Sequence, residues 1–528
     1  MSTGTAQVAE SISIKPEAFI VEDTHEGIYQ RSSIEHKFGG LYIWLVTFSA
    51  AVGGFLFGYD LTVISGVLAL LGSDLGHELS TGEQELVTSM ASAGAFVGVV
   101  IAGLLLDKYG RRKAVACGAV IFVIGSLVQA VSYSVVQMTI GRFIVGLGIG
   151  QASMVAPVYI AELSPAALRG RMVTIDSLAL TGAQCVGIGL SIAFQHTKHG
   201  WRYSIGLGAA PALLLMSLCF FIPETPRFLI MKDRLDTAAE VIGKIYPKAS
   251  RQEVIDKVHD IRLQLVKELG HQQLSLKQSF KMLYFEPSNL RALVVACGIV
   301  AINQFAGTNA FLYYAPKLFS IVGFDDALTV SIVVSGTNFV FGFIPLKYID
   351  TFGRRRLLLW TMWGLPISLM IGAIAMHYIP ISSDLVVKTE GITWAGVLVL
   401  VCVICFTASF ASCLGTAIWQ VNELFPLEVR SLGAMMGVCT CWGSNIIVSS
   451  TYLSMMKGIT PAGTFGFYSA LMAVAYACVY FFYPEVSLLT LEDIKAIFKD
   501  GFGVKESERI AKERRKLKNV DVVSWDAC

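Results

Sequence analysis

The chain has 528 residues, of which 54% are hydrophobic and only 15% are charged. A water-soluble protein carries about 25% charged residues, so most of this surface must face lipid, as a mean hydropathy of +0.62 also indicates. A net charge of +2 excludes the strongly basic footprint of a nucleic-acid binder.

The first forty residues are polar and contain no apolar core of a cleaved secretory signal. A membrane crossing needs about 20 apolar residues. Such runs lie near 43–71, 86–106, 114–134, 138–161, 172–194, 204–222, 290–320, 328–348, 357–377, 393–419, 432–456 and 463–483. Each predicts a helix, because lipid offers the backbone no hydrogen-bond partners. Twelve spans divide six and six around one long polar stretch, 223–289. Its "DRLDTAAEVIGKIYP" and "SRQEVIDKVHDIRLQLVKEL" read as amphipathic helices. The basic loops, "DKYGRRK", "ELSPAALRGR", "DTFGRRR" and "ELFPLEVR", alternate with short or acidic ones, so the positive-inside rule places both termini in the cytoplasm. The expected organisation is a tail at 1–40, a six-helix bundle at 41–222 and a cytoplasmic segment at 223–289. A second bundle at 290–484 and a cytoplasmic tail at 485–528 complete it.

The halves echo each other. "DKYGRR" (Asp107 to Arg112) returns as "DTFGRR" (Asp350 to Arg355), each after the second span of its half. "ELSPAALR" (Glu162 to Arg169) returns as "ELFPLEVR" (Glu423 to Arg430), each after the fourth. Paired repeats at matching places point to a duplicated six-helix unit, the architecture of an alternating-access carrier.

Within the first apolar run, "GGFLFGYDLTVISG" carries one charged residue, Asp60. A carboxylate at mid-membrane costs about 2.5–3.5 kcal/mol on insertion scales and is functional by default. Arg142, near the start of the fourth span, is its natural partner. An acid paired with a cation in one state and separated from it in another couples protonation to conformation. Asp60 and Arg142 are therefore the expected proton-coupling residues; a structural carboxylate is the bland alternative.

A second set of residues suits a neutral, hydroxyl-bearing solute. Side-chain amides offer a donor and an acceptor at once, as a hydroxyl requires. The seventh span supplies Asn303, Gln304 and Asn309 in "NQFAGTNAFLYY", followed by Tyr313 and Tyr314. Asn338, Gln184, Ser177, Trp419, Trp442 and Asn445 join them from other spans. The loop charges, Asp107, Arg111, Glu162, Arg169, Glu224, Arg227, Asp350, Arg354, Glu423 and Arg430, are expected to form a cytoplasmic gate of ion pairs between the halves. The eleven cysteines, mostly inside apolar runs, read as packing residues rather than disulfides. No Walker loop, metal-ligand cluster or nucleophile–base arrangement is legible, so neither enzymatic activity, cofactor nor metal is expected.

These motifs, with "PVYIAELSPAALRGR", "PETPRFL" and "NQFAGTNAFLYYAP", resemble the signature set of the sugar porter family of the major facilitator superfamily, over about residues 41–500. "EPSNLRALVVACGIVAINQF", "SIVVSGTNFVF" and "TPAGTFGFY" are most similar to fungal myo-inositol transporters. The resemblance implies an all-α polytopic membrane protein: twelve transmembrane helices in two six-helix bundles related by a pseudo-two-fold axis, the major facilitator fold. It implies sugar contacts at Ser177, Gln184, Asn303, Gln304, Asn309, Asn338, Trp419 and Cys441. It also agrees with the coupling role, since proton-coupled members carry the Asp and Arg whereas passive glucose carriers generally lack the Asp. The chain departs from the family at Asn303, where Gln is usual, at Ile418 in "GTAIW", where Pro is usual, at Cys441, where an amide is frequent, and in "PEVSL". Asp176 stands where inositol transporters tend to have Asn.

The expected function is proton symport of myo-inositol or a related polyol across the plasma membrane. The expected partners are a small neutral polyol or sugar, a proton and the lipid bilayer, with no nucleic acid, and the protein is expected to be a monomer. A hexose or pentose carrier of the same fold is the first alternative. A non-transporting sugar sensor is the second, disfavoured by the short tail after Tyr483.

Overall fold

The computed structural model of the chain describes residues 34, 39, 41–165, 169–270, 276–382, 385, 391–415, 424–426, 429–486, 489, 491–499 and 501–525. The described elements are helices. The first half contains α1 (Leu41–Leu70), α2 (Thr81–Tyr109), α3 (Arg111–Ala130), α4 (Val135–Leu163), α5 (Arg169–Ala193), α6 (Gly200–Leu207) and α7 (Ala209–Leu218). The polar segment follows as α8 (Pro226–Met231), α9 (Leu235–Ile245), α10 (Arg251–Gly270) and α11 (Leu276–Phe285). The second half contains α12 (Pro287–Phe305), α13 (Thr308–Ile321), α14 (Ala327–Val330), α15 (Ile332–Phe341), α16 (Phe343–Phe352), α17 (Arg354–Met362), α18 (Gly364–His377), α19 (Trp394–Ser412), α20 (Arg430–Gly458) and α21 (Thr460–Phe482). The chain continues through α22 (Leu491–Ile497) and α23 (Val504–Trp525).

Eleven membrane-length apolar helices are present among the described residues. The expected sixth span, 204–222, is not one of them: α6 and α7 meet at Gly208, and the start Trp201-Arg202-Tyr203 lowers the hydropathy of the stretch. Gly208 itself keeps right-handed dihedrals, φ −60° and ψ −23°, so the backbone continues in the helical sense across the interruption. The seventh span is also divided. Gly307 takes φ +86°, a conformation open to glycine at little cost, and separates α12 from α13.

The polar segment folds as its periodicity predicts. On α9 the buried residues are Ala238, Val241, Ile242 and Ile245, spaced three and four apart. They join Leu229 and Ile230 of α8 and Tyr159, Ile160 and Leu163 of α4 in a satellite core. The main core runs through helices of both halves.

Small residues let the spans approach closely, as membrane helices require. A Cβ on Gly146 of α4 would lie 2.1 Å from the Ala91 carbonyl of α2, and one on Gly94 of α2 would lie 2.1 Å from the Phe143 carbonyl of α4. The seams α2–α4 and α1–α5 are the most extensive within the first half. Between the halves, α2 packs along α20, α5 against α15, and α1 against α13.

Candidate functional site

The repeated D-x-x-G-R-R loops mark one end of the helix array, here termed the motif face; the opposite end is the far face. The duplication is visible in backbone geometry. Gly110 has φ 92° and ψ 164°, and its counterpart Gly353 has φ 90° and ψ 154°. In both loops the glycine turns the chain so that the next helix starts with exposed amides. Those amides need acceptors. Glu224 accepts from the backbone N–H groups of Arg111 and Arg112 at 2.9–3.3 Å, and Glu485 accepts from that of Arg354 at 3.1 Å. A carboxylate there also suits the positive end of the helix dipole.

Glu485 was not among the residues the sequence singled out. The available signal was the repeated Pro-Glu pair, Pro223-Glu224 and Pro484-Glu485. Arg355 was likewise missed. It is 4% exposed and donates to the Val479, Tyr480 and Tyr483 carbonyls at 2.7–2.8 Å, and its Nε donates to Glu508 at 2.8 Å.

At the motif face, Arg111 bridges Asp107 at 3.1 Å and Glu162 at 3.0 Å, and Arg227 lies 4.0 Å from Glu162. Arg430 donates to the Phe425 carbonyl at 3.3 Å. Each of these named contacts joins groups of the same half. Glu423 lies outside the described residues, as do the side chains of Arg169 and Asp350.

Deeper in, Asp60 of α1 and Arg142 of α4 form an ion pair. Arg142 Nη1 donates to Asp60 Oδ1 at 2.6 Å, and Arg142 Nε donates to the Val87 carbonyl of α2 at 3.3 Å. Asp60 is 6% exposed and Arg142 is fully buried. Arg142 Nη2 has no hydrogen-bond partner, so donor capacity remains in the pair. The sequence-predicted partners are thus brought together across 82 residues of chain. Another buried acid of this half, Asp176 on α5, packs against Gly54 of α1. It is 3% exposed, and its Oδ1 has no hydrogen-bond partner.

The amides of the seventh span form a chain around the break at Gly307. Asn309 Nδ2 donates to Gln304 Oε1 at 2.8 Å. Gln304 Nε2 donates to Asn303 Oδ1 at 3.0 Å and to Cys441 Sγ at 3.1 Å. Asn303 Nδ2 donates to the Leu414 carbonyl at 2.6 Å. Across the halves, Asn338 Nδ2 of α15 donates to Gln184 Oε1 of α5 at 2.8 Å. Trp442 Nε1 of α20 donates to Ser153 Oγ of α4 at 3.3 Å, with its ring 5.1 Å from Phe57 of α1. Asn445, 1% exposed, has an unpartnered Oδ1. Ser177 is partly buried on α5 beside Asp176. Tyr314 is a strut: its hydroxyl donates to the Ser449 carbonyl at 2.8 Å and its ring stacks on Tyr452. Trp419 lies outside the described residues. Neutral amides that bond one another can exchange those bonds for sugar hydroxyls.

Lipid-length helices, a buried ion pair, a chain of neutral amides in the second half and an amide pair joining the halves define a membrane carrier for a small polar solute. The chain belongs to the sugar transporter family, whose model, described as "Sugar (and other) transporter", matches residues 46–498. Myo-inositol transporter 2 of Schizosaccharomyces pombe is 42% identical over 478 residues, covering 90% of this chain and 85% of that protein. Myo-inositol transporter 1 of Saccharomyces cerevisiae is 38% identical over 480 residues, covering 90% and 82%. Among solved structures, the proton:xylose symporter XylE of the major facilitator superfamily, bound to 6-bromo-6-deoxy-D-glucose, superimposes with a TM-score of 0.72. That match has 26% identity and covers 87% of this chain and 99% of that one. A partially occluded inward-open form of the xylose transporter XylE from E. coli gives 0.70 at 26% identity, covering 85% and 100%.

Proposed function

We propose that the chain is a secondary active transporter that carries myo-inositol or a related polyol together with a proton across the plasma membrane. The observation that carries the coupling is the buried pair of Asp60 and Arg142, 2.6 Å apart. A passive carrier has no use for a charge at this depth, where it is costly. The names of the fungal relatives support inositol as the substrate, and that of the proton:xylose symporter supports the proton.

In this reading twelve spans form two six-helix bundles about a pseudo-two-fold axis, with α6 and α7 together making the sixth crossing. The segment boundaries are those expected above. The motif face and both termini are cytoplasmic, and the protein acts as a monomer. The proton rides on Asp60, and Arg142 sets when it leaves. Asn303, Gln304, Asn309, Asn338, Gln184, Ser177, Cys441, Asn445 and Trp419 surround the polyol, with Tyr314 holding the wall of the site. The charges of the motif face close the inner side.

Uptake in a cell lacking its own carriers tests this. Asp60→Asn, delivered to the membrane in normal amount, is expected to equilibrate labelled inositol but not accumulate it, and to lose acid stimulation. Accumulation against the gradient by that variant defeats the coupling role. A hexose or pentose as the true substrate is favoured by one observation, the shorter amide at Asn303, which withdraws a contact by roughly one methylene, about 1.2 Å. Competition of inositol uptake by glucose, xylose and mannitol separates the two.

A further inference from the structure

Glu85 is the one buried acid at the far-face end of α2, and neither proton coupling nor solute binding makes use of it. It is 4% exposed. Both of its recorded hydrogen bonds come from a single residue in the other half: Ser454 of α20 donates its backbone N–H to Oε1 at 2.7 Å and its hydroxyl to Oε2 at 2.5 Å. A carboxylate can only accept, so both bonds depend on α20 standing where it does. Hydrogen bonds to a charged group are about twice as strong as neutral ones.

Position gives the contact its meaning. The α2–α20 seam is closed along its length. Near the motif face, a Cβ on Gly103 would lie 2.6 Å from Met435 Sδ, and near the far face lies Glu85 on Ser454. Two halves rocking about a central site must part at one end of such a seam. The charged groups beside Glu85 are Lys317 of α13 and Lys457 of α20, which line the adjoining crevice with Ser80 and Gln84 of α2. Neither forms an ion pair with Glu85 among the described residues. Tyr314, one turn deeper, is bonded to Ser449 of the same α20, so a second strut backs the first.

We propose that Glu85 is a positioning residue of the transport cycle, a latch that holds the far face shut by gripping Ser454. The inference rests on the orientation and the carrier reading given above. Opening the far face requires both bonds to be exchanged for water, so the latch sets the balance between the two access states without touching solute.

The test uses the full-length protein in cells, with surface amount measured for each variant. Glu85→Ala is expected to lower KM and maximal rate together, each by about fivefold, because the outward-facing state gains population and closure becomes harder. Glu85→Gln is expected to restore both, since its amide oxygen still accepts from the Ser454 N–H and its NH2 can donate to the hydroxyl. Thr88→Cys, buried one turn below the latch, provides a readout that needs no solute. A membrane-impermeant maleimide added outside should label it faster in the Glu85→Ala background than alone, with Ser454→Ala giving a smaller increase. Parent-like kinetics and labelling in Glu85→Ala overturn the proposal, as does a Glu85→Gln variant as defective as Glu85→Ala. If the parent moves no inositol, the inositol reading fails while the labelling comparison still decides the latch.

Discussion

Asp60 and Asp176 are carboxylates buried in the same half, and only Asp60 has a recorded cation beside it. Arg142→Ala strands the Asp60 carboxyl, which can take up a proton, and Asp60→Asn strands the Arg142 guanidinium, which cannot lose one but keeps an acceptor; each is expected to cost about 3–5 kcal/mol. Asp176→Asn replaces a buried carboxyl whose Oδ1 has no partner and that no recorded cation offsets. It is expected to leave stability unchanged or raise it by about 1 kcal/mol. Thermal unfolding in detergent ranks the three. Outside the spans, the His199 ring, bonded to Asp74 at 2.6 Å, holds the Asp74 carboxyl below its ordinary value. Trp201 Nε1 and the nearby Arg202 add to the effect, against partial burial. A depressed carboxyl contributes stability that is complete above its unfolded value, about pH 4, and is lost as pH falls through the folded one. Asp74→Asn is therefore expected to cost about 1 kcal/mol at neutral pH and to leave the acid dependence of uptake between about pH 5 and 7 intact. The Asp60–Arg142 pair was legible because lone charges in apolar runs are rare and have few candidate partners. Glu85 was not, because it reads as one more acid in the cluster Glu78, Glu83 and Glu85 until α20 is seen lying on it.

At the scale of elements, what was legible followed from length and hydropathy. A twenty-residue apolar run has no alternative to helix in lipid, and the 3.6-residue period of α9 is plain in the letters. Interruptions were not legible, since a single residue at Gly208 or Gly307 leaves the hydropathy of its run unchanged. The tight seams depend on similar single residues. A Cβ on Gly58 of α1 would sit only 1.9 Å from the Leu180 carbonyl of α5, and that oxygen is backbone and cannot turn aside. Gly58→Ala must push the two helices apart and is expected to cost more than about 3 kcal/mol, seen as loss of folded carrier in fluorescence-detected size exclusion. Gly307→Ala meets both a positive φ and the Tyr468 ring at 3.2 Å. Its expected cost is milder, about 1 kcal/mol, but it stiffens the joint between the amides of α12 and Asn309 on α13, so solute affinity should suffer more than expression.

At the scale of the molecule, two halves of one chain pack against each other, and the sequence announced the duplication through its repeated loops. It did not announce which contacts would cross between halves, because those depend on how the halves face each other. The Gln184–Asn338 bond crosses, whereas the recorded loop pairs of Arg111 hold one half together. Gln184→Ala is expected to raise KM for solute about tenfold, one to two hydrogen bonds' worth, with little change in unfolding temperature. The energy to be harnessed is ample: one charge through 100 mV and one pH unit together supply about 3.7 kcal/mol, enough for accumulation of several hundred-fold. Arg355 shows how far such economy extends. One guanidinium gathers three carbonyls at the end of α21 and the Glu508 carboxylate of α23. A lysine, with a single nitrogen and no planar fork, could not reproduce that grip. A premature stop ahead of Glu508 would therefore remove more than a dangling extension, for it would loosen the clasp on the end of α21, and a reporter fused beyond Trp525 is a safer modification than a tail trimmed short.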